Sequence, residues 1–191
     1  PVSLVPAMSY SHRLRLARQR GLALPYARTL ARLRSPQAIQ DFLVDLPQNF
    51  EPDGDTARSV QSTLAAGRAH CIEGALVAAF ALWLQGHPPL LLDFSAHRDM
   101  DHVIAPFRVG GKWGAISKTN YICLRWRDPV YASVRELAMS YFHEYANRAD
   151  HKTLRHAELG DRHFRIRPRV VVNQVDAACQ LAAAGAAVLI K

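Results

Sequence analysis

Cysteine is scarce in this 191-residue chain: Cys71, Cys123 and Cys179 are its three, and no two form a Cys-x-x-Cys pair. An odd, widely spaced set builds neither a disulfide framework nor a paired-cysteine metal knuckle. It points to a reducing compartment. Long apolar runs are missing too. The longest, residues 75–84, falls well short of the ~20 residues of a membrane span and reads as a buried core helix. No secretory signal pattern follows Pro1, so a cytoplasmic location is the expectation. Internal repeats and low-complexity tracts are absent. What is there is ordinary for a folded chain: 49% hydrophobic and 21% charged residues, which argues against disorder. A chain of this length buries a core without disulfide or metal staples, and residues 1–191 read as a single domain.

Acidic residues are the minority, 16 against 24 lysines and arginines, for a formal charge of +8. Such a balance admits an anionic partner. The basic residues gather at 13–34 and 162–169, so residues 1–34 read as a basic N-terminal arm. Such an arm is more often a solvated face or a partner-docking segment than a nucleic-acid reader.

Along the chain, Leu14, Leu16, Leu22 and Leu24 make no clean helical stripe, and a short helix is expected at 26–33. Ser35-Pro36 reads as an N-cap and first helical residue. Ile39, Phe42, Leu43 and Leu46 follow at helical spacing up to Pro47. Residues 48–55 read as a loop, and 56–66 as an amphipathic helix closed by Gly67. The segment 70–85 is apolar around most of its circumference and predicts a central buried helix with Cys71 in its first turn. The period then changes. Residues 90–94 predict a strand, 102–108 and 113–117 a hairpin around Gly110-Gly111, and 121–126 a further strand broken by Pro129. Ser133-x-x-Glu136 is a capping box opening a helix to about Tyr145. A polar loop, a strand at 165–172 and an Ala-rich helix after Asn173 complete the reading. Helices, then an antiparallel sheet, then helices make an α+β fold.

Cys71 carries the chemistry this order permits. A thiolate is the nucleophile, and a helix N-terminus favours the anion. Gly67 and the residues up to His70 allow backbone N–H groups to face an oxyanion. A lone cysteine is also a common small core residue. His102 begins a strand after a charged loop, where an imidazole can serve as base to the thiol; the plainer alternative is a surface histidine beside Asp101.

The segments Ala69-His70-Cys71-Ile72-Glu73-Gly74-Ala75, Asp101-His102-Val103 and Gly111-Lys112-Trp113 resemble the core of the transglutaminase-like superfamily. The resemblance spans residues 67–126. It implies a papain-like thiol fold with a Cys–His–Asp triad, Cys71 as nucleophile and His102 as base. Trp113 matches the aromatic residue that precedes the third member, and the position four residues on is Ser117 rather than Asp. A serine orients an imidazole by hydrogen bonding without a carboxylate's charge. Asn120 is an alternative orienter, ranked slightly above Ser117, and Asp93, Asp99 or Asp101 could reach in from elsewhere.

The activity implied is hydrolysis or transfer of an acyl group from an amide or ester through a cysteine thioester, without metal or other cofactor. Peptide, protein or small amide and ester substrates all remain open. Two further readings stand beside it. One is a non-catalytic binding module of the same fold with an incomplete triad. The other is a metal-dependent hydrolase using His97, Asp99, Asp101 and His102, a loop resembling a His-x-His-x-Asp-His metal motif. Cys123 and Cys179 are expected to be packing residues, and His143 and Glu144 solvated. Glu73 would favour the helix dipole, yet its charge opposes thiolate formation.

Overall fold

The computed structural model describes residues 8–52, 54–147 and 152–159. The strand expected at 165–172, the helix after Asn173 and Cys179 lie outside them. Five helices lead: α1 (Tyr10–Gln19), α2 (Leu24–Arg32), α3 (Pro36–Asp45), α4 (Val60–Ala66) and α5 (Cys71–Leu84). Three strands follow, β1 (Leu92–Ala96), β2 (His102–Val109) and β3 (Lys112–Ile116), then a 3-10 turn (Ile122–Leu124), β4 (Arg127–Tyr131), α6 (Val134–Phe142) and β5 (Leu154–Leu159). The fold is α+β. The strands pair antiparallel in one sheet of order β4-β3-β2-β1-β5.

Helix α5 is the centre because nearly every side chain on it is apolar; 11 of its 14 residues are buried. Ala17, Leu22, Ala27, Leu30, Ile39, Leu43 and Val60 close on it from the other helices, while Ala105, Phe107 and Ile116 meet it from the sheet. A second cluster, with Leu92, Phe94, Ile104, Leu137 and Tyr141, joins the sheet to α6. Covered by α5 on one side and α6 on the other, β2 is buried along its first six residues, as a strand between two layers must be.

Local signals explain most boundaries. Ser35 caps α3 by accepting from the Ala38 N–H at 3.1 Å, and Ser133 caps α6 by accepting from the Glu136 N–H at 3.1 Å. Gly110 and Gly111 both take positive φ, 58° and 80°, as a two-residue hairpin turn requires. Among the described residues no helix is long and apolar enough to cross a membrane.

Several expectations are corrected. Residues 10–19, where the leucines make no clean stripe, also fold as a helix, α1, and dock on α5 together with α2, which lies where a helix was expected at 26–33. The reason is that Ala17 and Ala27, rather than leucines alone, supply the buried face. Helix α4 starts at Val60, not at Thr56, because Ser59 accepts from the Ser62 N–H at 3.2 Å and residues 56–58 run to Glu73 instead. Residues 121–126 form a turn, and the strand lies beyond it and contains Pro129. β4 is an edge strand whose register shifts opposite Gly114, so a missing N–H is tolerated there. The polar stretch after α6 returns as β5, pairing with β1. Cys123 is exposed in the turn and is no packing residue.

Candidate active site

Cys71 opens α5 because His70, extended at φ −104°, is its N-cap, and Glu73 reaches back to accept from the His70 N–H at 3.2 Å. The thiol is partly exposed. His102, 5% exposed, begins β2 opposite Phe94 of β1. Its Nε2 lies 2.7 Å from Ser117 Oγ, which leaves Nδ1 as the ring nitrogen for the thiol. The pairing of Ala105 with Ile116, carried one rung on, sets Ser117 across from Ile104 and diagonal to His102. Diagonal neighbours on adjacent strands are within side-chain reach.

Ser117 is itself held on both sides. Gln40 of α3 accepts from the Ser117 N–H at 2.9 Å and donates to the Ser117 carbonyl at 3.0 Å, acting as a short stand-in for a neighbouring strand. The next residue, Lys118, donates through Nζ to the Leu46 carbonyl. Gly74 admits this close passage. A Cβ at position 74 would stand 2.2 Å from Lys118 Cβ, a distance no real pair of carbons adopts.

Asn120 is exposed beyond Ser117, and among the described residues no hydrogen bond joins it to His102. The structure therefore brings Ser117, not Asn120, to the imidazole. Asp99 and Asp101 are occupied elsewhere: Asp99 accepts from Thr153 Oγ1 at 2.6 Å, and Asp101 from the Ala96 N–H at 2.8 Å. Among the described residues, no group of three or more His, Cys, Asp or Glu side chains is placed to hold a metal ion.

Sequence reasoning gives the His70 side chain no role, yet the structure sets it beside Cys71. Its Nδ1 lies 3.8 Å from Cys71 Sγ, and its Nε2 lies 2.8 Å from the Thr56 carbonyl and 3.3 Å from Glu51 Oε1. The available signal was His-Cys-x-Glu, an imidazole beside the thiol with a carboxylate one helical turn on. Glu73 is fully buried and fully used. Thr56 Oγ1 at 2.9 Å and Arg58 Nη1 at 3.1 Å bind one oxygen, and Asn49 Nδ2 at 3.2 Å binds the other. Its charge is thereby shared among Arg58, these donors and the His70 ring, whose Nε2 lies 3.8 Å from Oε2.

Burial pushes the Cys71 thiol up, but hydrogen bonding and charge from His102 and from His70 outweigh it and bring the thiol down to about 6 from an ordinary 9.0. Burial likewise pulls His70 down. Cys71, Glu73 and the Thr56 carbonyl outweigh it and raise the imidazole to about 9 from 6.5. Tyr145, just past α6, is raised by burial first and then by the charges of Cys71, Asp99, Asp101 and Asp93, so it too stands in the field of the thiol. A thiol lowered in this way is of the kind that can serve as a nucleophile near neutral pH.

Compared with solved structures, the chain is similar to LapG of Legionella pneumophila, with 15% identity, 61% of this chain and 76% of that one covered, and a TM-score of 0.42. It is likewise similar to the EGTA-treated form of LapG, with 15% identity, coverage of 68% and 75%, and a TM-score of 0.41. No family model matches the chain, and no curated protein does.

Proposed function

We propose that this chain is a transglutaminase-like thiol enzyme that takes an acyl group from an amide or ester onto Cys71 and passes it to water or to an amine. The observation that carries the reading is a thiol at the start of the buried helix, lowered to about 6 by His102 and His70, with His102 Nε2 itself 2.7 Å from Ser117 Oγ. In acylation the thiolate forms a C–S bond as the carbonyl π electrons move to oxygen. The tetrahedral centre then expels the amine or alcohol, which takes a proton from the imidazolium. In the second step the imidazole removes a proton from water, or from an acceptor amine. A bond from that atom to the acyl carbon forms, the C–S bond breaks and the thiolate returns. Ser117 orients the ring by hydrogen bonding where a carboxylate would also add charge. Water is the default acceptor because it is always present.

The test is mass spectrometry of the protein incubated with a panel of activated amides and esters, with and without an added amine. A covalent acyl adduct on Cys71 that is absent in Cys71→Ala and discharged by water or amine is the expected result. No adduct with any acyl donor, from a thiol that alkylates no faster than a free cysteine, would favour the non-catalytic binding module instead.

A further inference from the structure

The site holds a second imidazole that the Cys–His–Ser chain leaves without a task. His70 Nδ1 faces Sγ at 3.8 Å. The opposite nitrogen, Nε2, is anchored by the Thr56 carbonyl at 2.8 Å, with Glu51 Oε1 at 3.3 Å and Glu73 Oε2 at 3.8 Å. A carbonyl accepts only from an N–H, so Nε2 carries a hydrogen and Nδ1 is the nitrogen that exchanges a proton with sulfur. Two carboxylates, Glu51 and Glu73, thus stand beside the His70 ring.

We propose that the resting thiolate of Cys71 is paired with His70 as its imidazolium, clamped by Thr56 and the Glu51 and Glu73 carboxylates; that imidazolium supplies the proton the leaving group takes, and the neutral ring of His102 on Ser117 is the base that removes a proton from water or amine and passes it back to His70 through the released thiolate. The inference rests on the thiol-enzyme reading above. Ionisation is a transfer within the pair: the S–H bond breaks, an Nδ1–H bond forms, and the net charge of the two groups is unchanged. It needs no co-reactant. The groups facing the pair from each packed segment fit this. Glu51 comes from the loop after α3, and Glu73 lies on α5. Arg58, before α4, is bound to Glu73, while His102 comes from β2 and Tyr145 from beyond α6. Glu51 Oε1 also accepts from the Thr56 N–H at 2.6 Å, which fixes the carboxylate and the Thr56 carbonyl as one unit against the ring. His70 touches the reacting sulfur and is in that sense a catalytic residue.

The experiment is a histidine-ring NMR titration of the intact chain, before and after alkylation of Cys71 with iodoacetamide, with His70→Asn, which keeps an N-cap side chain, used to assign the signal. In the free protein the His70 ring should stay protonated to about 9. Alkylation removes the thiolate, so its midpoint should fall by about one unit or more. A parallel alkylation profile of His70→Asn should move the Cys71 midpoint upward. If the parent thiol titrates low but His70 titrates near an ordinary histidine and ignores alkylation, while His102 responds, the pairing proposed here is overturned and the thiol-enzyme reading stands. If the parent Cys71 titrates as a free thiol, both are overturned.

Discussion

The chemistry turns on a few polar atoms around one sulfur, and each can be weighed singly. A thiol lowered to about 6 is largely ionised at neutral pH. Its alkylation by iodoacetamide should therefore rise through pH 6 and level off above 7, where a free cysteine is still climbing. At pH 6 the excess over a free thiol should be about tenfold, the gain in thiolate fraction being partly offset by the lower nucleophilicity of a less basic sulfur. A rate that keeps rising to pH 9 would count against activation. Ser117 is 1% exposed and spends its hydroxyl on His102. Ser117→Ala should slow acylation by about tenfold, the worth of one buried hydrogen bond to a ring that must hold its orientation. Asn120→Ala should leave the rate near that of the parent, since Asn120 lies exposed and apart from the ring; stopped-flow acylation with one activated ester compares the two.

How these atoms meet is decided by how closely β3 and its continuation pass α5. Only a hydrogen at Gly74 allows the Lys118 side chain to lie against the helix. Gly74→Ala forces them apart by more than an ångström, which should destabilise the protein by about 1–3 kcal/mol. It should also carry Ser117 and His102 away from Cys71. The second effect is the informative one: the thiol should titrate higher in this variant, read from the thiolate absorbance at 240 nm. A destabilised protein with an unmoved thiol would show that the helix and strand adjust independently of the site. The edge strand β4 shows the same physics without consequence for the site, since Gly114 there leaves room for the Pro129 nitrogen and the Arg127 carbonyl.

Taken whole, the molecule is tied at Glu73 as well as at its apolar core. That single buried carboxylate gathers Asn49 from the loop after α3, Thr56 and Arg58 from the segment before α4, and the backbone of His70. Glu73→Ala removes the acceptor these groups share and leaves the Arg58 charge without its partner. A loss of about 3 kcal/mol is expected, measured as a fall in the urea midpoint with an unchanged slope. A fall of less than ~0.5 kcal/mol would mark the cluster as solvated and replaceable.

Much of this architecture is legible in the residues themselves. An apolar run of helical length, a Ser-Pro helix start, two glycines between alternating stretches and a Ser-x-x-Glu box are local patterns. Local patterns report backbone conformation and burial directly, so α3, α5, the β2–β3 hairpin and α6 follow from them. The contacts that make a site are not local. Ser117 finds Gln40 across 77 positions, and His102 across 15. The resemblance puts Ser117 at the third-member position, but a serine there lacks the carboxylate, and so Asn120 ranks slightly above it in the sequence. Strand register and the opening left by Gly74 make that choice, and both exist only once the sheet has packed on α5. The use of Glu73 is likewise settled by packing. In the chain it is a negative charge one turn from a thiol that should stay protonated beside it; in the fold its oxygens are bound by Arg58, Thr56 and Asn49 and its charge raises His70, so that the groups lowering the thiol are two imidazoles.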